Sequence, residues 1–198
     1  YVGEPTTYFI SGSSAFSLEN LQVNCQDGSN TTGGLVDYVL KSGELSTSTS
    51  GGGFVLTNVW LQYANTACIY AFNCPTVSLN HVGTWGGNVG VWLDSCSEIV
   101  WHHGSVVAPF TDGGNPGIGI LCRGLSSGVA NIANGGRIVL SGIGVGSAPS
   151  ISYDYGYDFR GIHSVTLMGC TCEGSEVAAY RFMRCTGGKG IGLRSNSG

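Results

Sequence analysis

Aromatic, acidic and arginine side chains recur at alternate positions of several short, strand-like segments. Alternate positions of a β-strand point to the same side, so these side chains are predicted to share one outward face. We name this set the outward stripe; it comprises Tyr70, Phe72, Trp92, Asp94, Arg123, Asp158, Arg160 and Arg181. Aromatic rings stack on the apolar C–H surfaces of sugars, while guanidinium and carboxylate groups bind hydroxyl and acidic groups. The stripe therefore predicts a carbohydrate-binding surface or, with equal weight, a subunit interface, because interfaces also collect aromatic residues and arginine.

Carboxyl groups near the stripe are candidates for catalysis. Glycoside hydrolysis uses two carboxyl groups separated by roughly 5 to 9.5 Å. Asp94 and Asp158 are predicted to lie two strands and one column apart, at about 11 Å, which is too far for either stereochemical outcome. Asp112, on an insertion, and Glu98, just beyond a corner, are the remaining candidates beside Asp94.

Two adjacent histidines, His102 and His103, follow Trp101. Strand alternation predicts that one of the pair faces outward and the other inward. A histidine beside acidic residues is able to act as a general base, although a surface or core histidine without a catalytic role is the commoner case.

The elements that position these residues form a repeat. Val77 follows Phe54 by 23 residues, and Ile99 follows Val77 by 22 residues. Strand-opening apolar pairs occur at Phe16/Leu18, Phe54/Leu56, Val77/Leu79, Ile99/Trp101, Ile138/Leu140 and Val165/Leu167. A period of this length, made of strand-length apolar pairs and Gly, Asn or Ser corners, predicts a β-solenoid.

In each repeat a second short strand is predicted, near Val82 in the repeat that begins at Val77, and a third strand closes the repeat. Its inward residues are predicted to be Val36/Tyr38/Leu40, Ala67/Ile69/Ala71, Val89/Val91/Leu93, Ile118/Ile120/Cys122, Tyr155/Tyr157/Phe159 and Ala178/Tyr180/Phe182. This register places Val39 in the outward column of Tyr70 and Lys41 in that of Phe72. No segment sustains the three- and four-residue apolar steps of a helix.

Bulk composition limits the function classes. The 198 residues are enough for a single domain, predicted over residues 1–198. A net charge of −4 with 10% charged residues gives no basic footprint for nucleic acid. No apolar run approaches the roughly 20 residues of a membrane span. Neither end shows a cap over its open strands, so we expect a fragment of a longer chain.

The chain has eight cysteines, none of them in a CxxC pair. We therefore expect no zinc site, and nothing in the sequence indicates another metal or a cofactor. Free cysteine is among the most buried residue types. This pattern favours buried free thiols over a disulfide network.

The coil from Gly90 to Ile99 (GVWLDSCSEI) resembles those of right-handed, pectate-lyase-like β-helices, which include polygalacturonases and bacteriophage tailspikes. The resemblance implies an all-β, right-handed, single-stranded parallel β-helix of about seven coils with insertions at its corners. Of the polygalacturonase motifs, only His103-Gly104 is similar to the Gly-His-Gly turn, and the Asp pair is absent. The clustered Asp residues that hold calcium in pectate lyases are absent too.

Among these β-helices the chain is most similar in character to the tailspikes. That likeness implies a homotrimer, in a phage virion or outside the cell, that binds and in some cases cleaves bacterial surface polysaccharide. A secreted polysaccharide lyase or hydrolase is one alternative. A purely structural solenoid of an adhesin or virion appendage is the other.

Overall fold

The structure is a computed structural model, and it describes residues 8–26, 35–43, 50–107, 109, 116–124, 135–148 and 151–196. Every helix or strand assigned within those ranges is a β-strand. None of the described residues forms a helix long and apolar enough to cross a membrane. The predicted all-β class is confirmed.

The strands form two sheets. The first contains β1 (Tyr8–Gly12), β3 (Val36–Ser42), β5 (Ala64–Phe72), β7 (Val89–Asp94), β9 (Ile118–Arg123), β11 (Tyr153–Arg160) and β14 (Ser175–Met183). The second contains β2 (Phe16–Asn24), β4 (Phe54–Gln62), β6 (Thr76–Trp85), β8 (Glu98–Val107), β10 (Gly135–Gly146), β12 (Ile162–Met168), β13 (Thr171–Glu173), β15 (Gly188–Ile191) and β16 (Arg194–Asn196). Pairing is parallel throughout, and the chain alternates between the sheets from β1 to β12. This order is compatible with a parallel β-solenoid.

The predicted strand-opening pairs stack in register along the second sheet. Phe54 is paired with Val77, and Val77 with Ile99, on successive strands. The stack continues from Ile99 to Ile138 and then to Val165. Ten residues of the predicted strand-opening pairs and inward sets are all buried: Val77, Leu79, Val91, Leu93, Ile99, Ile120, Leu140, Tyr157, Phe159 and Leu167. Apolar residues at two-residue spacing thus locate the core, because each inward side chain packs on its equivalents in the neighbouring strands.

The predicted first and second strands of a repeat are instead one long strand, such as β6 (Thr76–Trp85), and each long strand of the second sheet bends at a residue with positive φ. The bend residues include Asn58 (φ 56°), His81 (φ 51°), His103 (φ 52°) and Gly142 (φ 65°). A residue in the left-handed conformation interrupts the alternation of side chains between the two faces of the strand. Residues before and after the bend therefore cannot be assigned to a face by one continuous alternation. The prediction that one of His102 and His103 points inward is therefore wrong, since both are exposed.

Two predictions about the first sheet are also corrected. Lys41, rather than Val39, is in register with Tyr70, because β3 pairs with β5 two residues away from the predicted alignment. Ala67, Val89, Ile118 and Tyr155, predicted to face inward, instead pack in a second cluster separate from the main core. That cluster contains Ala67, Val89, Ile118 and Leu121, with Tyr38, Trp92 and Tyr155 packed against it.

Glycines on the adjacent positions explain this reversal. A Cβ built on Gly90 would lie 2.2 Å from Cγ1 of Val106, and one on Gly119 would lie 2.4 Å from Cγ1 of Val145. Both valines belong to the main core. The position occupied by Gly90 therefore faces the interior, and the preceding residue, Val89, faces away from it.

All eight cysteines are free thiols, and only Cys185 is not buried. Several act as weak donors that close corners between strands. The Cys96 thiol, for example, donates to the carbonyl oxygens of Ala71 (3.8 Å) and Asp94 (3.6 Å). These thiols satisfy backbone acceptors in corners where few other donors reach.

We predict that a thiol reagent at pH 8 labels about one of the eight cysteines of the native protein within minutes, namely Cys185. Burial raises the pKa of Cys68 to about 12, so almost none of its thiol is ionised at that pH. Denaturant without reductant should release all eight thiols, as counted by absorbance. A smaller count in denaturant would reveal disulfides and contradict the structure.

Candidate functional site

The strands of the first sheet bring the outward stripe together in two columns. The first column runs in register through Tyr70, Trp92, Leu121, Asp158 and Arg181. The second runs through Phe72, Asp94, Arg123, Arg160 and Met183. Asp94 and Asp158 accordingly lie two strands and one column apart, which is the register predicted from the sequence.

The aromatic members of the stripe pack on one another. The rings of Tyr38 and Tyr70 lie 5.1 Å apart, and Tyr70 meets Trp92 edge to face at 5.5 Å and 86°. Tyr70 and Phe72 are buried, whereas Trp92 is half-buried. Edge-to-face contacts of this kind stabilise the column beyond the area that they bury. Of the stripe's aromatic side chains, Trp92 is therefore the most available to a ligand.

Asp94 lies at the centre of a local network. Nε of Arg123 donates to its Oδ1 at 2.7 Å, and a terminal guanidinium nitrogen donates to Oδ2 at 2.6 Å. Trp92 Nε1 donates to the same Oδ1 at 2.9 Å. The Arg123 guanidinium also sits 4.7 Å from the Trp92 ring centroid, within cation–π range. Asp94 thus fixes the orientation of both Trp92 and Arg123.

Asp158 pairs with two arginines. Arg160 donates to its Oδ2 through Nε (2.9 Å) and a terminal nitrogen (2.5 Å). Arg181 donates through Nε to Oδ1 at 2.9 Å and through a terminal nitrogen to Oδ2. The Arg181 guanidinium also lies 3.5 Å from the Tyr155 ring centroid. Tyr155 belongs with this site although we predicted it to face inward, and the signal for it was the inward glycine that follows, Gly156.

The ionisation of these groups follows from their surroundings. Burial would raise the pKa of Asp158, but hydrogen bonds from Arg181 and Arg160 outweigh burial and hold its pKa below the ordinary value. The hydrogen bond to Asp158 raises the pKa of Arg181. For Arg123, burial alone would lower the pKa, and the bond to Asp94 raises it overall. The network is therefore a set of ion pairs at neutral pH, with three guanidinium groups against two carboxylates.

Of the catalytic candidates, the two that the structure describes, Asp94 and Glu98, lie in different sheets. Asp94 is fully buried, and both of its oxygens accept hydrogen bonds from Arg123 or Trp92. Glu98 is exposed at the start of β8, in the other sheet. Asp112 lies outside the described residues. The contacts of Asp94 hold its neighbours in place. A catalytic role for Asp94, Glu98 or Asp112 stays a prediction.

Among the residues that the structure describes, no group of three or more His, Cys, Asp or Glu side chains is arranged to hold a metal ion. Comparisons of the chain with protein-family models, with curated proteins and with solved structures found no match. The geometry of the stripe and the physical chemistry of its side chains are therefore what indicate a function.

Proposed function

We propose that the chain forms a right-handed, single-stranded parallel β-helix of about seven coils that binds bacterial surface polysaccharide through the outward stripe. The alternation of parallel strands between two sheets supports the β-helix. The right-handed sense is supported by the general rule that connections between parallel strands are right-handed in nearly all proteins.

The observation that carries the binding role is the row of arginines held in place by the two buried aspartates. The side chains of Arg123, Arg160 and Arg181 are 23%, 37% and 23% exposed, whereas those of Asp94 and Asp158 are 0% exposed. The carboxylates therefore orient the guanidinium groups and leave part of each accessible. Guanidinium groups fixed in this way bind carboxylate or phosphate substituents with little further loss of side-chain entropy.

The ligand proposed on this basis is an acidic polysaccharide that lies across the strands. Three guanidinium groups against two carboxylates leave one net positive charge on a chain whose overall charge is −4. Half-buried Trp92 stands beside this charge and offers an apolar edge to a sugar ring. The resemblance to tailspikes favours a bacterial glycan, a homotrimer, and a place in a virion or outside the cell.

We expect Arg160→Gln to weaken binding of an acidic capsular polysaccharide by about 5- to 20-fold, because a charge-assisted contact is lost. Arg160 is the most exposed of the three arginines, and Asp158 keeps Arg181 as its partner, so the fold should persist. Calorimetric titration with a panel of capsular and O-antigen polysaccharides, together with an assay for new reducing ends, measures binding and cleavage separately.

The matched control is Arg137→Gln, which removes an exposed arginine from β10 in the other sheet. It should leave the affinity unchanged. Equal losses in the two variants would mean that the stripe contributes only general charge, and would overturn the proposal. If the stripe is instead a subunit interface, Arg160→Gln should alter the oligomer mass in light scattering while the affinity of the remaining oligomers stays constant.

A further inference from the structure

A second aromatic face lies on the other sheet, beyond the bends of its long strands. After the bend, the outward positions of β2, β4, β6 and β8 form two columns. One column pairs Gln22, Trp60, Gly83 and Ser105 in register. The other pairs Asn24, Gln62, Trp85 and Val107. Trp60 and Trp85 are therefore diagonal neighbours, with Cα atoms about 8 Å apart from the strand spacing and rise.

The Trp60 ring lies flat on the neighbouring strand. A Cβ built on Gly83 would lie 1.8 Å from Cζ3 and 2.0 Å from Cε3 of Trp60. Gly83 is buried although its position is outward, whereas Trp60 itself is only half-buried. One side of the indole is therefore packed on backbone, which leaves the other side for contact with solvent. A ring fixed in this way is a rigid platform for the apolar face of a sugar.

Polar side chains that carry no fixed charge lie at the bends of these strands and in the two columns of the indoles. Asn58 Nδ2 donates to Asn20 Oδ1 at 3.0 Å, and the rings of His81 and His103 stack at 5.2 Å. All four of these bend residues are exposed. Gln22 and Gln62, whose amides lie 3.5 Å apart, flank Trp60 in its own and the adjacent column. Amide and imidazole groups both donate and accept hydrogen bonds, which suits the hydroxyl groups of sugars.

This face differs chemically from the outward stripe. In the stripe the tyrosine and phenylalanine rings are buried, and the accessible groups are the three guanidinium groups and the half-buried Trp92 indole. Here the outward positions after the bend in β2, β4, β6 and β8 carry no Asp, Glu, Lys or Arg. The outward side chains on the strands beyond the tryptophans are small. Ser105 is paired in register with Gly144, and Val107 with Gly146. A flat, uncharged surface with two indoles selects against acidic ligands, because no cation compensates for their desolvation.

We propose that this face is a separate binding site for an uncharged oligosaccharide, with one pyranose ring stacked on Trp60 and a second on Trp85. The chain of sugars runs diagonally across β4 and β6, and the bend residues bind its hydroxyl groups. The site is independent of the acidic-glycan site proposed above, since it lies on the other sheet and uses none of the same residues.

The four tryptophans allow each face to be observed separately. Trp60 and Trp85 report the second face, Trp92 reports the stripe, and fully buried Trp101 is an internal reference. In ¹⁵N-labelled protein we expect cellohexaose, maltohexaose or mannohexaose, titrated to ~10 mM, to shift the indole N–H signals of Trp60 and Trp85 and to leave those of Trp92 and Trp101 in place. The proposal is overturned if none of the three hexasaccharides moves the Trp60 and Trp85 signals. A shift of Trp92 by acidic polysaccharide tests the proposed function by itself and has no bearing on this result.

Two variants test the stacking directly. Trp60→Ala should weaken binding of the active hexasaccharide by about 3- to 10-fold. Gly83→Ala keeps the Trp60 indole, but the added methyl group displaces the ring from the backbone of β6. It should give a similar loss of affinity together with a shift of the Trp60 signal. Thr57→Ala, on the same strand before the bend, is the matched control and should bind like the wild type. Unchanged affinity in Trp60→Ala would exclude stacking on this residue.

Discussion

Replacing Trp101 by alanine is expected to lower the free energy of unfolding by about 3–5 kcal/mol, which is a large part of the stability of a single domain. The Trp101 side chain is fully buried in β8 and stacks between Leu79 of β6 and Leu140 of β10. Removing the indole leaves a cavity in the middle of the column, where strands hydrogen-bonded on both sides have little room to close it. Denaturation in guanidinium chloride measures the loss as a lower midpoint at constant slope.

Trp101→Phe separates packing from polarity at the same position. Trp101 Nε1 is buried without a hydrogen-bond partner among the described residues, so its loss forfeits no hydrogen bond. We therefore expect Trp101→Phe to cost only about 1–2 kcal/mol, from the volume removed. Val100→Ala, on the adjacent outward position, is the control and should cost less than about 1 kcal/mol. Equal losses for Trp101→Ala and Val100→Ala would show that Trp101 does not support the core.

The core was predictable because the rule that locates it is local. Two apolar residues at positions i and i+2 face the same side of a strand, and the equivalent pairs recur at nearly constant intervals. Phe54, Val77 and Ile99 were aligned from the sequence, and the structure pairs them in that register. Burial of the apolar face also fixes the register of each parallel strand, because shifting a strand by one residue would expose all of its apolar side chains.

The bends were not predicted, because they depend on φ rather than on hydrophobicity. His81 and His103 both adopt positive φ, as do Asn20 and Asn58 at equivalent positions. A signal was present, since Asn and His tolerate this conformation better than most residues and Gly142 continues the same column. Locating that column would have shown that alternation resets at His103, and that Trp60 and Gly83 share an outward face.

Exposure in the stripe was also beyond the sequence pattern. The odd or even position of a residue along a strand indicates the direction of its side chain. It does not indicate how much of that side chain stays exposed after its neighbours pack against it. Tyr70 and Phe72 point away from the main core, as predicted, yet both are buried. The pairings of Asp94 with Arg123 and of Asp158 with Arg181 both follow from adjacent positions in one column, whereas the pairing of Asp158 with Arg160 joins the two columns along β11.

Replacing Asp158 by asparagine is expected to destabilise the protein by about 3 kcal/mol at neutral pH. Asp158 is fully buried and accepts hydrogen bonds from both Arg160 and Arg181. Asparagine keeps the shape but removes the charge, and its amide group turns donors toward two guanidinium groups. Removing one partner of a buried ion pair costs about 3–5 kcal/mol, and the lower end applies here because both arginines reach solvent. Glu98→Gln, which neutralises an exposed carboxylate of β8, is the control and should change stability by less than about 0.5 kcal/mol.

The pH dependence of this difference tests the cause. The arginines hold the folded-state pKa of Asp158 below its unfolded-state value, which is about 4. A carboxyl group with a lowered folded pKa stabilises the native state above the unfolded pKa, and that contribution disappears as the pH falls through the folded pKa. The wild type should therefore lose its advantage over Asp158→Asn progressively below about pH 4, in unfolding curves measured from pH 7 to pH 2. A difference that stays constant over this range would mean that the asparagine variant is destabilised by its geometry, and that the charge of Asp158 does not hold the arginines in place.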